Sequence, residues 1–256
     1  MVARWDPSVV PAELVALTRS LGEPPKDLVI VAEGNTSYRL SDTEIVVKSS
    51  GVRMAEATAH DFVVCEFESL IRLMDDPSAD QAAVTAALDA GNHNGAHRRG
   101  SIETLVHAAV QSLQRTTWVA HTHPTAAVAL LSSVHAATSF DQFVYSDEAV
   151  VIGSVLFVPY AQPGIDLGRS VLAALRAYHS DHGSLPSLVL MGNHGIVALS
   201  DSAEGAEAIS LMATKACRVR LDAIAAGGIV PLPAESTAKF LTRPDIVERR
   251  GQLSGQ

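Results

Sequence analysis

His121-Thr122-His123 is the segment with the clearest chemical potential. On an extended strand, residues two apart point to the same face, so two imidazoles can meet at one point. Neutral imidazole nitrogens suit zinc and its borderline neighbours, and a catalytic zinc normally takes three protein ligands while keeping a position open. His194 is the best third ligand, because Gly192 and Gly195 let a tight turn between two apolar runs present its side chain sharply. Glu103 is the best carboxylate. It falls at a helix start, where the helix dipole favours an acid, just behind a loop of glycines and arginines. His60, His93, His97, His107, His135, His179 and His182 lack comparable company and read as surface or capping residues, with His107 simply sharing the helix of Glu103.

A second set of residues suits an anion. Gly34-Asn35-Thr36-Ser37 and Lys48-Ser49-Ser50-Gly51 each follow a β-favouring run. The amides and hydroxyls of such turns can cradle phosphate oxygens, with Lys48 as a point charge. Each turn taken singly also reads as a loop that satisfies its own backbone.

The elements that must position these groups follow from periodicity. Asp6-Pro7 and the apolar spacing after it predict a helix up to about Leu21. Leu28–Val31, Tyr38–Leu40 and Ile45–Lys48 read as short strands of a meander, and helical patterns return at about 61–74 and 78–90. Residues 91–100 are polar and glycine-rich and read as a loop, after which Ser101 caps a helix with Leu105, Val106, Ala109, Val110 and Leu113 on its apolar face. Trp118–Thr122 is a strand ended by Pro124, which opens the next helix. Val155–Val158 is another strand, and Asp166 caps a helix to about His179. Leu188–Met191 and Ile196–Leu199 flank the His194 turn, and a long helix covers about 202–225. Strands mixed with helices, without a regular βαβ rhythm, predict an α/β protein: a three-layer αβα arrangement with a central mixed, largely antiparallel sheet. One domain over residues 1–256 is expected, since this length supports a single core.

Composition narrows the partner. With 47% apolar and 18% charged residues the chain is ordinary for a packed globular protein. A formal charge of -9 without a basic stripe argues against nucleic acid and anionic membrane and for a small molecule. The opening residues carry no basic-then-apolar leader, and no apolar run approaches the roughly 18 residues of a spanning helix, so a soluble, cytoplasmic protein is expected. Cys65 and Cys217 sit in apolar, helix-like contexts and read as buried thiols.

The order of the motifs resembles the class II aldolase/adducin family. Gly34-Asn35, Ser50-Gly51, Ser101-Ile102-Glu103, His121-Thr122-His123 and Asn193-His194-Gly195 follow that family's sequence of a Gly-Asn turn, Ser-Gly, Ser-x-Glu, His-x-His and a final His-Gly turn. With Val158-Pro159-Tyr160 and Pro163-Gly164 the resemblance covers about residues 28–225. Its wording is most similar to the aldolase half of bifunctional rhamnulose-phosphate aldolase/alcohol dehydrogenases. A glycine-rich dinucleotide fingerprint is lacking, so their redox activity is not carried over.

The resemblance implies that His121, His123 and His194 hold one divalent metal per subunit, with zinc favoured, and that Glu103 carries the proton and can join the ligands when substrate is absent. It implies substrate contacts from Gly34, Asn35, Lys48, Ser50, Gly51 and Ser101, and Tyr145 lies where some members place an active-site tyrosine. The implied reaction is reversible aldol cleavage of a ketose 1-phosphate, of fuculose or rhamnulose type, to dihydroxyacetone phosphate and an aldehyde. Sugar-acid phosphate decarboxylation, sugar-phosphate 4-epimerisation and dehydration draw on the same chemistry. A non-catalytic adducin-like interaction module would be expected to lose ligands or the acid, and all four are present. Some family aldolases have two serines before the glutamate. Here Ser101 is followed by Ile102, a loss that Lys48, Arg98 or Arg99 can offset, and a sugar acid remains an alternative to a sugar phosphate. The resemblance further implies a homo-oligomer, with a tetramer favoured.

Overall fold

Trp118–Thr122 is buried at every position, which requires a strand covered on both faces and paired on both edges. In the computed structural model, which describes residues 2–114 and 116–254, that strand lies in the middle of an eight-stranded sheet. Among the described residues the strands in chain order are β1 (Ala3–Arg4), β2 (Asn35–Arg39), β3 (Glu44–Lys48), β4 (Phe62–Glu66), β5 (Asp89–His93), β6 (Ala96–Arg99), β7 (Trp118–Thr122), β8 (Val155–Val158), β9 (Leu188–Met191) and β10 (Gly195–Ser200). The large sheet runs β1-β4-β3-β2-β7-β10-β9-β8, and β5 and β6 form a separate hairpin. All neighbours in the large sheet are antiparallel except β8 and β9, so the mixed, largely antiparallel sheet predicted from the sequence is found.

Helices cover both faces. On one side α1 (Ala12–Leu21), α5 (Thr125–Leu131) and α8 (Ala203–Ala225) pack with Val46, Phe62, Val64, Ala120 and Ile196. On the other, α2 (Phe67–Asp75), α4 (Thr104–Leu113) and α7 (Ile165–His182) pack with Val47, Val63, Val119 and Val197. Strand alternation divides the apolar residues between the two cores, as period-2 geometry demands. The shorter helices are α3 (Gln81–Ala87), α6 (Ser146–Val151), α9 (Ala234–Leu241) and α10 (Pro244–Ser254). Among the described residues no helix is long and apolar enough to cross a membrane. Cys65 and Cys217 are free and buried, and burial pushes both thiols up to about 12.

Several local expectations change. Asn35–Ser37 belong to β2 instead of a turn, Glu103 and not Ser101 is the N-cap residue of α4, and α7 starts at Ile165 behind Gly164 instead of at an Asp166 cap. The first helix begins at Ala12 behind Pro11, whose ψ of 140° separates it from a short 3-10 turn at Pro7–Val9. Leu28–Val31 is not a strand but irregular backbone that leads into a turn at Val31 and Ala32, with Val31 at φ 52°. Residues 62–66 form β4 instead of the start of a helix, because Val63 and Cys65 face one core while Phe62 and Val64 face the other. Residues 91–100 hold most of the β5–β6 hairpin: Asn94 at φ 52° and Gly95 at φ 77° supply the left-handed pair that a two-residue hairpin turn requires.

One buried ion pair ties the long α5–α6 connection to α8. Arg220 is fully buried, and its guanidinium engages both oxygens of buried Glu148, with Nη1 2.9 Å from Oε2. It also donates to the carbonyls of Ser139 and Gln142 at 2.6 and 3.0 Å and lies 3.8 Å over the Phe140 ring. Removing one partner of such a pair leaves an uncompensated buried charge. Arg220→Met is therefore expected to lower unfolding free energy by about 3–5 kcal/mol in urea titrations, with partial recovery when combined with Glu148→Gln. A loss below about 1 kcal/mol, the range of an exposed pair, would contradict this role.

Candidate metal centre

The site is built where β2, β7 and β10 run side by side beneath α4. His121 is in register with Asn35 on β2 and with Val197 on β10, and it shares the α4-facing side of β7 with Val119. His123 follows two residues on, and its backbone N–H donates to the Leu28 carbonyl at 2.9 Å. His194 comes from the tight turn joining β9 to β10, whose N–H groups at Asn193 and His194 donate to the carbonyls of Leu131 and Met191. Glu103 is the N-cap residue of α4.

These four side chains converge. One donor atom from each of Glu103, His121, His123 and His194 lies within 4.8 Å of the others. His121 Nε2 is 2.9 Å from His123 Nε2 and 3.2 Å from His194 Nε2, and Glu103 Oε1 is 3.1 Å from His194 Nε2. On its other side, His121 Nδ1 lies 2.9 Å from the Ile196 carbonyl. A carbonyl only accepts, so Nδ1 carries the hydrogen, and in the neutral form that a metal ligand requires the ring turns a bare Nε2 lone pair into the cluster. Three imidazole nitrogens and a carboxylate oxygen around one point are a donor set that fits a divalent ion of the zinc type. His121 is fully enclosed, whereas Glu103, His123 and His194 keep 13%, 17% and 9% of their side chains exposed, so the centre opens to solvent on one side.

Burial alone would raise the Glu103 carboxyl, but the His121 and His194 imidazoles beside it outweigh that and hold it well below the usual carboxylate range. For His121 burial disfavours charge, yet the Glu103 carboxylate wins and raises it. Burial, then the charge of His121, push His123 down to about 3.

Two glycines are demanded by close approach. A Cβ on Gly195 would stand 2.5 Å from both His123 Cδ2 and the Thr122 carbonyl. A Cβ on Gly34, at φ 69°, would meet Val29, Met54 and the His121 carbonyl within 2.9 Å. Gly34 is thus a backbone spacer behind the β7 strand.

The remaining expected residues divide. Asn35 and Ser101 join the centre: Asn35 Nδ2 donates to Glu103 Oε2 at 2.7 Å and to Ser101 Oγ at 3.0 Å. Ser50 and Gly51 form an exposed turn beside it, tied in by the Ser50 N–H to the Arg99 carbonyl and the Ser101 N–H to the Lys48 carbonyl. Lys48 is buried, and its ammonium is turned into that turn, donating to the carbonyls of Ser49 and Val52 at 3.1 and 2.7 Å; burial lowers it to about 8. Arg98 pairs with Asp61 at 2.8 Å. Tyr145 lies at the start of α6 against α8, its hydroxyl 2.7 Å from Met212 Sδ and its ring beside Lys215, and none of its contacts is with the cluster. Burial, then Glu148 and Asp147, push its phenol up to about 12.

His107 is the residue that the sequence reading passed over. It is fully buried, with Nε2 2.5 Å from Asn35 Oδ1 and Nδ1 2.6 Å from Ser37 Oγ. Its signal was present in the spacing, since Glu103, His107 and Gln111 recur every four residues on α4 and meet Asn35, Ser37 and Arg39, which recur every two on β2.

The family described as Class II Aldolase and Adducin N-terminal domain matches residues 12–221. No curated protein matches the sequence. Solved structures with this fold include L-fuculose-1-phosphate aldolase from Thermus thermophilus, at 19% identity over 87% of this chain and 100% of that one, TM-score 0.58. The N-terminal class II aldolase domain of a conserved Thermoplasma acidophilum protein matches at 19% identity over 82% and 92%, TM-score 0.62. YgbL from Klebsiella pneumoniae, whose assignment is left between aldolase, epimerase and decarboxylase, matches at 17% identity over 89% and 95%, TM-score 0.65.

Two outcomes follow from the geometry. Gly195→Ala forces a methyl group into the His123 ring, so its metal affinity is expected to fall about tenfold or more in competition with a chelator, as when a ligand's support is removed; parental affinity would mean that His123 is not a ligand. Burial holds His107 down at about 3, against about 6.5 in an unfolded chain. The unfolded state therefore binds the extra proton between these values, so stability present above about pH 6.5 is lost as pH falls toward 3. In metal-free protein His107→Gln should remove up to about 1.4 kcal/mol per pH unit from that slope in unfolding measurements, and an unchanged slope would show that the imidazole is not held neutral.

Proposed function

Because the chain belongs to the class II aldolase/adducin family, we propose that residues 1–256 work as one domain of that kind, a zinc-dependent lyase for reversible aldol cleavage of a ketose 1-phosphate. The observation that carries this reading is the meeting of His121, His123, His194 and Glu103 in a centre open to solvent, with Asn35 and Ser101 against the carboxylate. When bound by the three histidines, a zinc ion supplies Lewis acidity for the negative charge that develops on a carbonyl oxygen when the adjacent carbon–carbon bond breaks.

The residues of the chain do the rest. Glu103, held ionised beside the imidazoles, takes the proton from the carbon next to the carbonyl of dihydroxyacetone phosphate in the synthetic direction and returns it in cleavage. Asn35, Ser50, Gly51 and Ser101 provide amide and hydroxyl groups for the phosphate, a contact remote from the reacting bond that fixes its orientation. Lys48 supports this pocket from beneath by fastening the Ser49–Val52 turn, so its part in substrate binding is indirect. Tyr145 stays with the substrate machinery only if a neighbouring subunit brings another centre to α6, as a homotetramer could.

The test is deuterium uptake into dihydroxyacetone phosphate from heavy water by the zinc-loaded protein. Exchange that Glu103→Ala lowers by at least about 100-fold, in the range of a lost general base, is the expected result. His121→Ala and His194→Ala are expected to lose bound zinc by elemental analysis. No exchange by metal-replete parent would overturn the aldolase reading in favour of decarboxylation, epimerisation or dehydration at the same centre.

A further inference from the structure

Glu103 Oε2 lies 2.7 Å from Asn35 Nδ2, and an ionised carboxylate can only accept. That fact sets the Asn35 amide. Its NH2 group faces Glu103 and Ser101, so Oδ1 faces the opposite way, toward His107 Nε2 at 2.5 Å. Reversing the amide would set two acceptors against each other in a buried site, a costly arrangement. An amide oxygen also only accepts, so His107 Nε2 carries the hydrogen. The neutral ring is then bare at Nδ1, which lies 2.6 Å from Ser37 Oγ, and the Ser37 hydroxyl donates to it.

Each step has a single sense. Ser37 O–H points to His107 Nδ1, His107 Nε2–H to Asn35 Oδ1, and Asn35 Nδ2–H to Glu103 Oε2. Ser37, His107 and Asn35 are at most 1% exposed, so water does not compete, and bonds aligned in this way polarise one another in a low-dielectric interior. We infer that His107 is a positioning residue: as the Nε2–H tautomer it locks Asn35, and through Asn35 it fixes the Glu103 carboxylate with Oε2 engaged and Oε1 left to His194 and His121.

The alternative, that His107 merely fills space between β2 and α4, makes a different prediction. A filler has no preferred tautomer and is replaced by a ring of similar size. A positioning residue is not, because a phenyl ring cannot donate to Asn35 Oδ1, and the freed amide lets Glu103 leave its productive orientation. The loss then falls mainly on kcat, since the three imidazoles and the phosphate contacts proposed for Ser50, Gly51 and Ser101 are untouched and only the Asn35 contact is shared.

The kinetic consequence rests on the aldolase reading, whereas the direction of the hydrogen bonds does not, and the experiment keeps the two apart. In the zinc-loaded full chain labelled with nitrogen-15, the His107 ring signals, assigned by their loss in His107→Gln, should show a protonated Nε2 and a bare Nδ1. A protonated Nδ1 in the neutral ring would overturn the inference whatever the reaction. In the deuterium-exchange assay, His107→Phe should lower kcat about 10–100-fold, the effect of removing a supporting hydrogen bond, with zinc content unchanged and KM within about twofold. Ser37→Ala, which removes only a small hydroxyl and guards against a phenyl variant that fails to fold, should lower kcat in the same direction by a smaller factor. Both variants within about twofold of the parent would also overturn it. A parent with no exchange activity would count against the proposed reaction and leave the tautomer to decide the positioning role.

Discussion

A buried carboxylate that stays ionised must find donors or cations on every side, and Glu103 is the residue around which the other choices are arranged. Burial penalises its charge, and two sources of compensation meet it from opposite directions. The imidazoles of His194 and His121 face Oε1, while the Asn35 amide and the Ser101 hydroxyl lie against Oε2. Losing either side would favour the protonated acid. The carboxylate therefore needs both the imidazole side, built on β7 and the β9–β10 turn, and the hydrogen-bond side, built on β2 and α4.

That requirement explains the polar seam inside an otherwise apolar layer. Two strand residues advance about 6.7 Å and four helix residues about 6 Å, so a strand and a helix crossing at a small angle stay in step for three contacts. Asn35 with Glu103, Ser37 with His107 and Arg39 with Gln111 are those contacts. Flanking positions on α4, Leu105, Val106 and Ala109, are apolar and belong to the core on that face. The helix thus presents an apolar face to hold the layer and a polar ridge to hold the site, and the ridge is satisfied because every group on it meets a partner on β2.

Much of this was legible in the sequence, for reasons that differ from residue to residue. His121 and His123 announced themselves because period-2 geometry is local, and the His194 turn because its glycines are. The apolar runs that became β7, β9 and β10 carried their own ends. Residues 62–66 did not, since Phe-Val-Val-Cys-Glu is apolar on both faces and its period is hidden when both sides of a strand are buried. The 91–100 hairpin was hidden by polarity, although Asn94-Gly95 is the dipeptide that such a turn favours. His107 carried only half a signal, the four-residue spacing with Glu103 and Gln111: its partners are on a strand some seventy residues away, and only the fold brings Ser37 and Asn35 to it.

The charges near the proposed phosphate pocket complete the physical picture. Lys48 and Arg98 looked interchangeable in sequence as cations for an anion, but the fold commits both to structure, Lys48 to the carbonyls of Ser49 and Val52 and Arg98 to Asp61. By donating to the carbonyls of Ser49 and Val52, the Lys48 amine closes the Ser50-Gly51 turn from within and places no cation on its outer face. Arg99, exposed on β6 next to Ser50, is a further cation on this edge, and its backbone carbonyl already holds the turn through the Ser50 N–H. In a chain of net charge -9, attraction for any anion would have to come from local groups, because the overall field opposes it. The Ser50-Gly51 turn and the histidine-glutamate cluster are joined at Ser101, whose hydroxyl lies between Asn35 and Glu103 and whose backbone N–H is tied to the Lys48 carbonyl.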